Sequence, residues 1–376
     1  MNALRVPLGA CDLAAEAVAR SNPDGCTVFP SYGGVRMSNR FPAQPRRDTQ
    51  EKYDAPFKFL DSRLDWSPAA RHSSVPTFFA TGGPMIRKMT AIPMLLATAL
   101  ATGQALAQQP VTLKFSSPAP VSSYLHPDAF TPWAAAVGQA SGGTLKVETF
   151  YGGTLGNFGV TYDRVVDGVA DIGFILAANA AGKFKKMDVV GLPFEAKTGV
   201  AASVALWKMY EKGILKDEFD AVVPLAMWTF PNSALHTKSP IKTLDDVKGK
   251  KLAASSAISG KVIVALGGAQ VTFRPDETYQ AISRGIADGT LMPFTGTATF
   301  KINEVVKAHL DAALGSDAAL IFMSRKKFDS LPPQAKAAIE RYSYAGFSEK
   351  LGRLTDEQWA EKRELVKAAT STLPSP

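Results

Sequence analysis

LKVETFYGGTLGNFGVTYDRVVDGVADIGFIL, residues 145–176, holds the fold in small. LKVETF (145–150) alternates apolar and polar side chains, the pattern of a strand with one buried face. The Gly-rich stretch after it reads as a turn, 160–167 as a short helix, and DIGFIL (171–176) as a fully buried strand. A helix joining two strands at this spacing is the unit of an α/β fold with largely parallel sheets.

The same alternation runs outward on both sides. Upstream, VTLKF (111–115) predicts a strand and 128–140 a helix, with Pro127 and Asp128 suited to a helix start. Downstream, a helix over 200–212 precedes the strand run AVVPLAMWTF (221–230). KLAAS (251–255), a helix over 259–266, QVTF (270–273), a helix over 276–284, DGTLMPF (288–294) and AALIFMS (318–324) then repeat the theme. From 331 to 369 the composition is helical; Ser330 suits a cap, with Pro332 and Pro333 in the first turn. Gly346 and Gly352 predict two or three segments there rather than one rod. Two α/β units followed by terminal helices predict two lobes with a cleft between them.

Before this region lies MIRKMTAIPMLLATALATGQALA (85–107), which reads as an export signal. Arg87 and Lys88 form its cationic start, an apolar run over 91–101 its core, and Ala105-Leu106-Ala107 its cleavage site. The apolar core is too short for a membrane anchor and is broken by Pro93. Cleavage after Ala107 exposes Gln108 rather than a lipid-accepting Cys, so a soluble periplasmic product is expected. Residues 1–84, rich in Pro, Ser, Arg and Gly, are expected to be a non-native leader, with translation starting at Met85. The expected organisation is 108–230 as one lobe, 231–318 as the second, and 319–376 as a returning strand and helices packed across both.

Composition narrows the chemistry. Of 376 residues, 46% are hydrophobic and 20% charged, ordinary for a globular protein. The net charge of +8 is spread thinly rather than gathered with aromatics on one face, which argues against nucleic-acid binding. Both cysteines, Cys11 and Cys26, precede the export signal, leaving no disulfide or zinc-thiolate framework after it. His72, His126, His236 and His309 are far apart, with no metal-ligand spacing, and read as surface or packing residues. There is no nucleophile elbow and no dinucleotide fingerprint. The run 255–261 is a poor phosphate loop, lacking its first Gly and carrying Val262 where a magnesium-holding hydroxyl belongs. No cofactor, metal or catalytic residue is therefore expected. Tyr124, Phe158, Phe174, Trp228, Phe230 and Phe294 fall in loops or at strand C-terminal ends, where open α/β sheets bind ligands. As a set they suggest an apolar cleft with few polar anchors.

Three stretches in order resemble the solute-binding proteins of tripartite ATP-independent periplasmic (TRAP) transporters, the DctP type. They are GGTLGNFGVTYDRVVDGVADIGF (152–174), HTKSPIKTLDDVKGKKL (236–252) and ALGGAQVTFRPDETYQAISRGIADG (265–289), within a likeness running from about Val111 to Arg353. The resemblance implies an α/β, two-lobed periplasmic binding protein (type II-like) with hinge strands and C-terminal helices. It implies closure on a small organic acid and delivery to a permease of a small and a large integral membrane subunit. A monomer is expected.

The ligand-binding set expected from these readings is Tyr124, Asn157, Phe158, Phe174, Trp228, Phe230, Ala253, Ser255, Ser256 and Phe294. Ala253 is a departure: family members place there an Arg that forms a bidentate pair with the ligand carboxylate, a task suited to its planar fork. Two readings follow. An anion is held by Ser255, Ser256 and backbone N–H groups where the next helix begins, with Lys261 or Arg274 assisting. Otherwise the ligand is neutral or weakly acidic, packed by Tyr124, Trp228 and Phe294. A receptor serving a sensor, and a periplasmic enzyme on the same frame, are the other classes considered; the enzyme lacks a nucleophile–base pair.

Overall fold

The structure, a computed structural model, describes residues 110–180, 182–369 and 371–373. The leader, export signal and cleavage site expected within 1–107 lie outside the described residues. Among the described residues no helix is long and apolar enough to cross a membrane.

The first lobe is built on one five-stranded sheet. β1 (Val111–Ser116) runs parallel to β2 (Leu145–Phe150), with Val111 opposite Leu145 and Ser116 opposite Phe150. α1 (Thr131–Ala140) connects them, entered through a wide turn at 126–130. α2 (Thr161–Val166) leads into β3 (Ile172–Leu176), parallel to β1 and buried along its whole length. That burial follows from cover on both faces, which is why its sequence is apolar rather than alternating. Gly173 lets α2 approach closely: a Cβ there would come within 2.9 Å of Val165 and of the Phe322 ring. α3 (Gly199–Glu211), capped by the Thr198 hydroxyl accepting from Ala201 N–H, precedes β4 (Val222–Thr229).

The chain then crosses to a second sheet. β5 (Ala234–Thr237) is followed by β6 (Lys251–Ala254), α4 (Ala257–Ala265) and β7 (Ala269–Thr272). α5 (Pro275–Ser283), β8 (Gly289–Met292), α6 (Phe294–Thr299) and β9 (Ala308–Leu310) complete the unit. The connection 311–317 returns the chain to the first sheet as β10 (Ala318–Ser324). α7 (Arg325–Ser330), α8 (Pro333–Tyr342) and α9 (Tyr344–Ala369) follow, and β11 (Ser371–Leu373) joins the second sheet beside β9. Strand orders are β2-β1-β3-β10-β4 and β11-β9-β5-β8-β6-β7.

Both sheets are largely parallel, as expected, and each holds one reversed strand, β10 in the first and β5 in the second. β10 pairs antiparallel with β3 and β4, and β5 antiparallel with β8 and β9. These are the strands on either side of the crossings, so the chain enters each sheet from the opposite end. The terminal region forms two helical segments, as expected, but its cap and its break lie elsewhere. Ser330 caps nothing at the start of α8; its hydroxyl donates to the Lys327 carbonyl, and α8 begins at Pro333. The break falls at Ser343, and α9 runs unbroken through Gly346 and Gly352. Gly352 is there for contact: a Cβ would meet Ser203 Oγ at 2.6 Å and Val200 Cα at 2.8 Å on α3. Packing against α3 outweighs the propensity cost of about 1 kcal/mol per glycine.

Candidate functional site

A cavity opens between the two sheets, with about 550 Å³ of atom-free space counting its mouth. Its first wall comes from the first lobe: Tyr124 and Leu125 after β1, Phe158 before α2, Phe174 and Leu176 on β3, and Phe230 just past β4. The second wall is Ser255 after β6, Pro275 opening α5, Met292 and Pro293 at the end of β8, and the α6 face carrying Thr295, Gly296 and Thr299. Strand C-terminal ends thus supply both walls, as in other open α/β sheets. Phe300 joins them, packing against the cores of both lobes and meeting Phe158 edge-on at 6.2 Å. Asn179 Nδ2 bridges them again, donating to the Ser255 carbonyl at 3.5 Å.

Five of the expected residues line this cavity: Tyr124, Phe158, Phe174, Phe230 and Ser255. The other five do not, each for a local reason. Trp228 is fully buried and lies flat behind Phe174, ring centroids 5.4 Å apart. Phe294 points off the far side of α6, packed edge-on against His236 at 5.0 Å and near Trp359. Side chains one and five residues later face the cavity, because a helix turns about 100° per residue. Asn157 folds back on its own turn, its Oδ1 accepting from Gly159 N–H at 3.0 Å. Ser256 caps α4 in a reciprocal pair with Ser259. Ala253 is buried in an apolar cluster with Ala281, Ile282 and Met292. Of the two assisting cations, Lys261 is exposed and Arg274 is ion-paired with Glu277 at 2.5 Å and Asp276 at 3.4 Å. Neither lines the cavity.

The polar content of the walls is small and unusual. The hydroxyl of Ser123 is buried without a hydrogen-bond partner among the described residues, and those of Tyr124 and Thr295 are buried beside each other with no other partner among them. Thr295 lies near the Tyr124 phenol, yet burial dominates and holds that phenol well above its ordinary pKa; the Asp128 charge adds to the rise and the Thr295 hydroxyl opposes it. Asp317, the last residue of the 311–317 connection, is also on the wall. Burial, reinforced by the charge of Asp188, pushes its carboxyl up to about 6. No Lys or Arg is among the described lining residues.

Sequence reading passed over Thr295, Thr299 and Asp317. The i, i+4 threonines after Pro293 were the available signal for a hydroxyl-bearing helix face; Asp317 beside an apolar strand carried none. The histidines behave as packing groups. His236 Nε2–H donates to the Met292 carbonyl at 2.9 Å, and its Nδ1 meets His309 Nδ1 at 2.6 Å. That arrangement needs one shared proton and two neutral rings. His126 bonds Ser117 Oγ through Nε2 at 2.9 Å. Among the described residues no three metal-ligating side chains cluster.

A family profile described as bacterial extracellular solute-binding protein, family 7 (DctP), matches residues 115–373. The chain is similar to a marine-metagenome TRAP solute-binding protein specific for aromatic acid ligands, solved with 3-hydroxybenzoate. Identity is 26% and the TM-score 0.68, over 71% of this chain and 86% of that one. It is also similar to a TRAP solute-binding protein from Rhodoferax ferrireducens T118 solved with copurified benzoate, at 27% identity and TM-score 0.65, over 70% and 84% of the two chains. The protein TsaT of Comamonas testosteroni, described as an outer membrane transporter protein, is 26% identical over 230 residues, 60% of this chain and 68% of its own length. With its two lobes, hinge strands and interlobe cavity, the chain belongs to the family 7 bacterial extracellular solute-binding proteins, the DctP-type receptors of TRAP transporters.

Proposed function

We propose that this receptor captures a small aromatic carboxylate between its lobes in the periplasm and hands it to the two integral membrane subunits of its transporter. The mature protein is residues 108–376, working as a monomer after cleavage behind Ala107. One observation carries the ligand class: Phe158, Phe174, Phe230 and Phe300 surround a cavity large enough for a single ring. Tyr124 and Ser255 are the polar contacts among the residues expected from sequence, and the relatives solved with benzoate and 3-hydroxybenzoate support the same class. Closure follows ligand because the closed form contacts it from both walls, and the shift is limited to that difference in affinity.

A second reading, a neutral aromatic ligand, is favoured by the absence of a cation on the described wall and by the presence of Asp317. Thermal unfolding with benzoate, 3-hydroxybenzoate and benzamide separates the two. A ligand at 100 times its dissociation constant adds about 2.7 kcal/mol of stability. Benzoate or 3-hydroxybenzoate is expected to stabilise more than benzamide at matched concentration. Stabilisation by benzamide alone selects the neutral ligand, and no stabilisation by any of the three defeats the aromatic class.

A further inference from the structure

Asp317 sits where a carboxylate ligand would be repelled. Its position is fixed by the lobe junction: its backbone carbonyl accepts from Phe230 N–H at 3.0 Å, and β10 starts at the next residue. Asp317 is on the cavity wall, and its carboxyl has no hydrogen bond or ion pair among the described residues. The charged groups around it are negative. Asp188, on the 187–191 turn, acts on it directly, and Glu218 stands behind Asp188. From the other elements packed against the junction come Tyr124 on the cavity wall and, on the connection itself, Asp311, which is engaged by Arg363 of α9. Lys186, the cation beside Glu218, is held by Asp217 at 2.7 Å.

Two ionised carboxylates cannot share an aromatic-walled chamber without a cation; one of them takes a proton instead. A protonated carboxyl facing a carboxylate forms an O–H···O⁻ bond, among the strongest hydrogen bonds available to a side chain. We propose that Asp317 replaces the missing arginine: its protonated carboxyl donates a hydrogen bond to the solute carboxylate, so capture by the ionised form takes up one proton from solvent. The buried hydroxyls of Ser123, Tyr124 and Thr295, engaged at most with one another, offer further donors to the same anion. Burial and Asp188, which already hold the free carboxyl near 6, make that proton available close to neutral pH. The inference rests on the aromatic-carboxylate reading and adds the group that recognises the charge.

The test is calorimetric titration of the protein with benzoate from pH 5 to 8, in buffers of different ionisation enthalpy. The dissociation constant is expected to hold steady below about pH 6 and then to weaken about tenfold per pH unit, with proton uptake approaching one per benzoate bound. Asp317→Asn keeps a donor that does not titrate; its affinity is expected to be flat with pH, and tighter than wild type at pH 8. Asp188, whose carboxyl is also pushed up to about 6, is separated by Asp188→Asn: proton uptake that persists in that variant belongs to Asp317, and uptake lost with it overturns the proposal. Benzoate binding with no pH dependence and no proton uptake overturns the proposal while leaving the ligand class standing. Tighter binding of benzylamine than of benzoate overturns it as well, making Asp317 an anionic counter-charge. No binding of benzoate or 3-hydroxybenzoate at any pH sinks the ligand reading itself, and the proposal with it.

Discussion

Two sets of buried polar groups meet at Met292, and they are finished to different degrees. On one side, His236 and His309 spend their protons on each other and on the Met292 carbonyl, leaving one ring nitrogen, His309 Nε2, without a partner among the described residues. On the other, where Met292 lines the cavity, the Ser123 hydroxyl is buried and unpaired, the Tyr124 and Thr295 hydroxyls have only each other, and the half-buried Asp317 carboxyl has no partner among the described residues. Folded proteins pair almost all buried polar groups. Under the proposed function the wall groups are the ones a ligand would satisfy; Trp228 Nε1 and Ser316 Oγ, unpaired but off the wall, show that position on the cavity and not the missing partner alone marks them.

The contrast breaks most visibly at the layer behind the wall. Trp228→Ala removes a fully buried ring that supports Phe174 without touching the cavity. It is expected to cost about 3–5 kcal/mol of stability in chemical denaturation. A loss below about 1 kcal/mol would mean that this layer is not structural.

Acid separates the two sets by sign. Burial first, and then the neighbouring ring, push His236 down to about 3; burial pushes His309 down to about 4. Below the unfolded value of 6.5 the unfolded chain binds protons that the folded rings refuse, so stability is lost as pH falls from 6.5 towards 4. The expected loss across that window is about 3 kcal/mol per ring, about 6 kcal/mol for the pair. Asp317 works the other way: its raised carboxyl favours the folded state at low pH, an advantage lost as pH rises from the ordinary value of 3.8 through about 6. Denaturation at pH 7 and 4.5 should show the histidine slope flattened in a His236→Phe, His309→Phe double variant. An unchanged slope would show that the pair is not what resists acid.

The smallest effect is also the sharpest. Tyr124→Phe deletes a hydroxyl whose one described neighbour is the Thr295 hydroxyl, so stability without ligand should move by no more than about 1 kcal/mol. Benzoate affinity should fall about tenfold or more, the size of one hydrogen bond to a charged group. A stability loss without an affinity loss would place the phenol in the frame instead.

Much of the fold is legible in the residues. LKVETF becomes β2 and AALIFMS becomes β10 with the bounds their patterns predict, because alternation and continuous apolarity report on one strand's own burial. β5 and β9, ALHT and AHL, are too short to carry a period and take their place from neighbours in the sheet. The site is legible to the same depth. Phe158, Phe174 and Phe230 follow from strand ends, whereas Phe294 and Trp228 turn away for reasons of helix phase and ring stacking that no sequence spacing encodes.

The order of the longer strands and helices, the two α/β units, the lack of an arginine at Ala253 and the aromatic character of the cleft are all carried by residue identity along the chain. Mixed strand directions, the meeting of His236 with His309 and the arrival of Asp317 on the cavity wall depend on which distant segments touch. Local pattern records how much of itself a segment must hide from water; only the assembled lobes decide which polar group is left without a partner once the rest is buried.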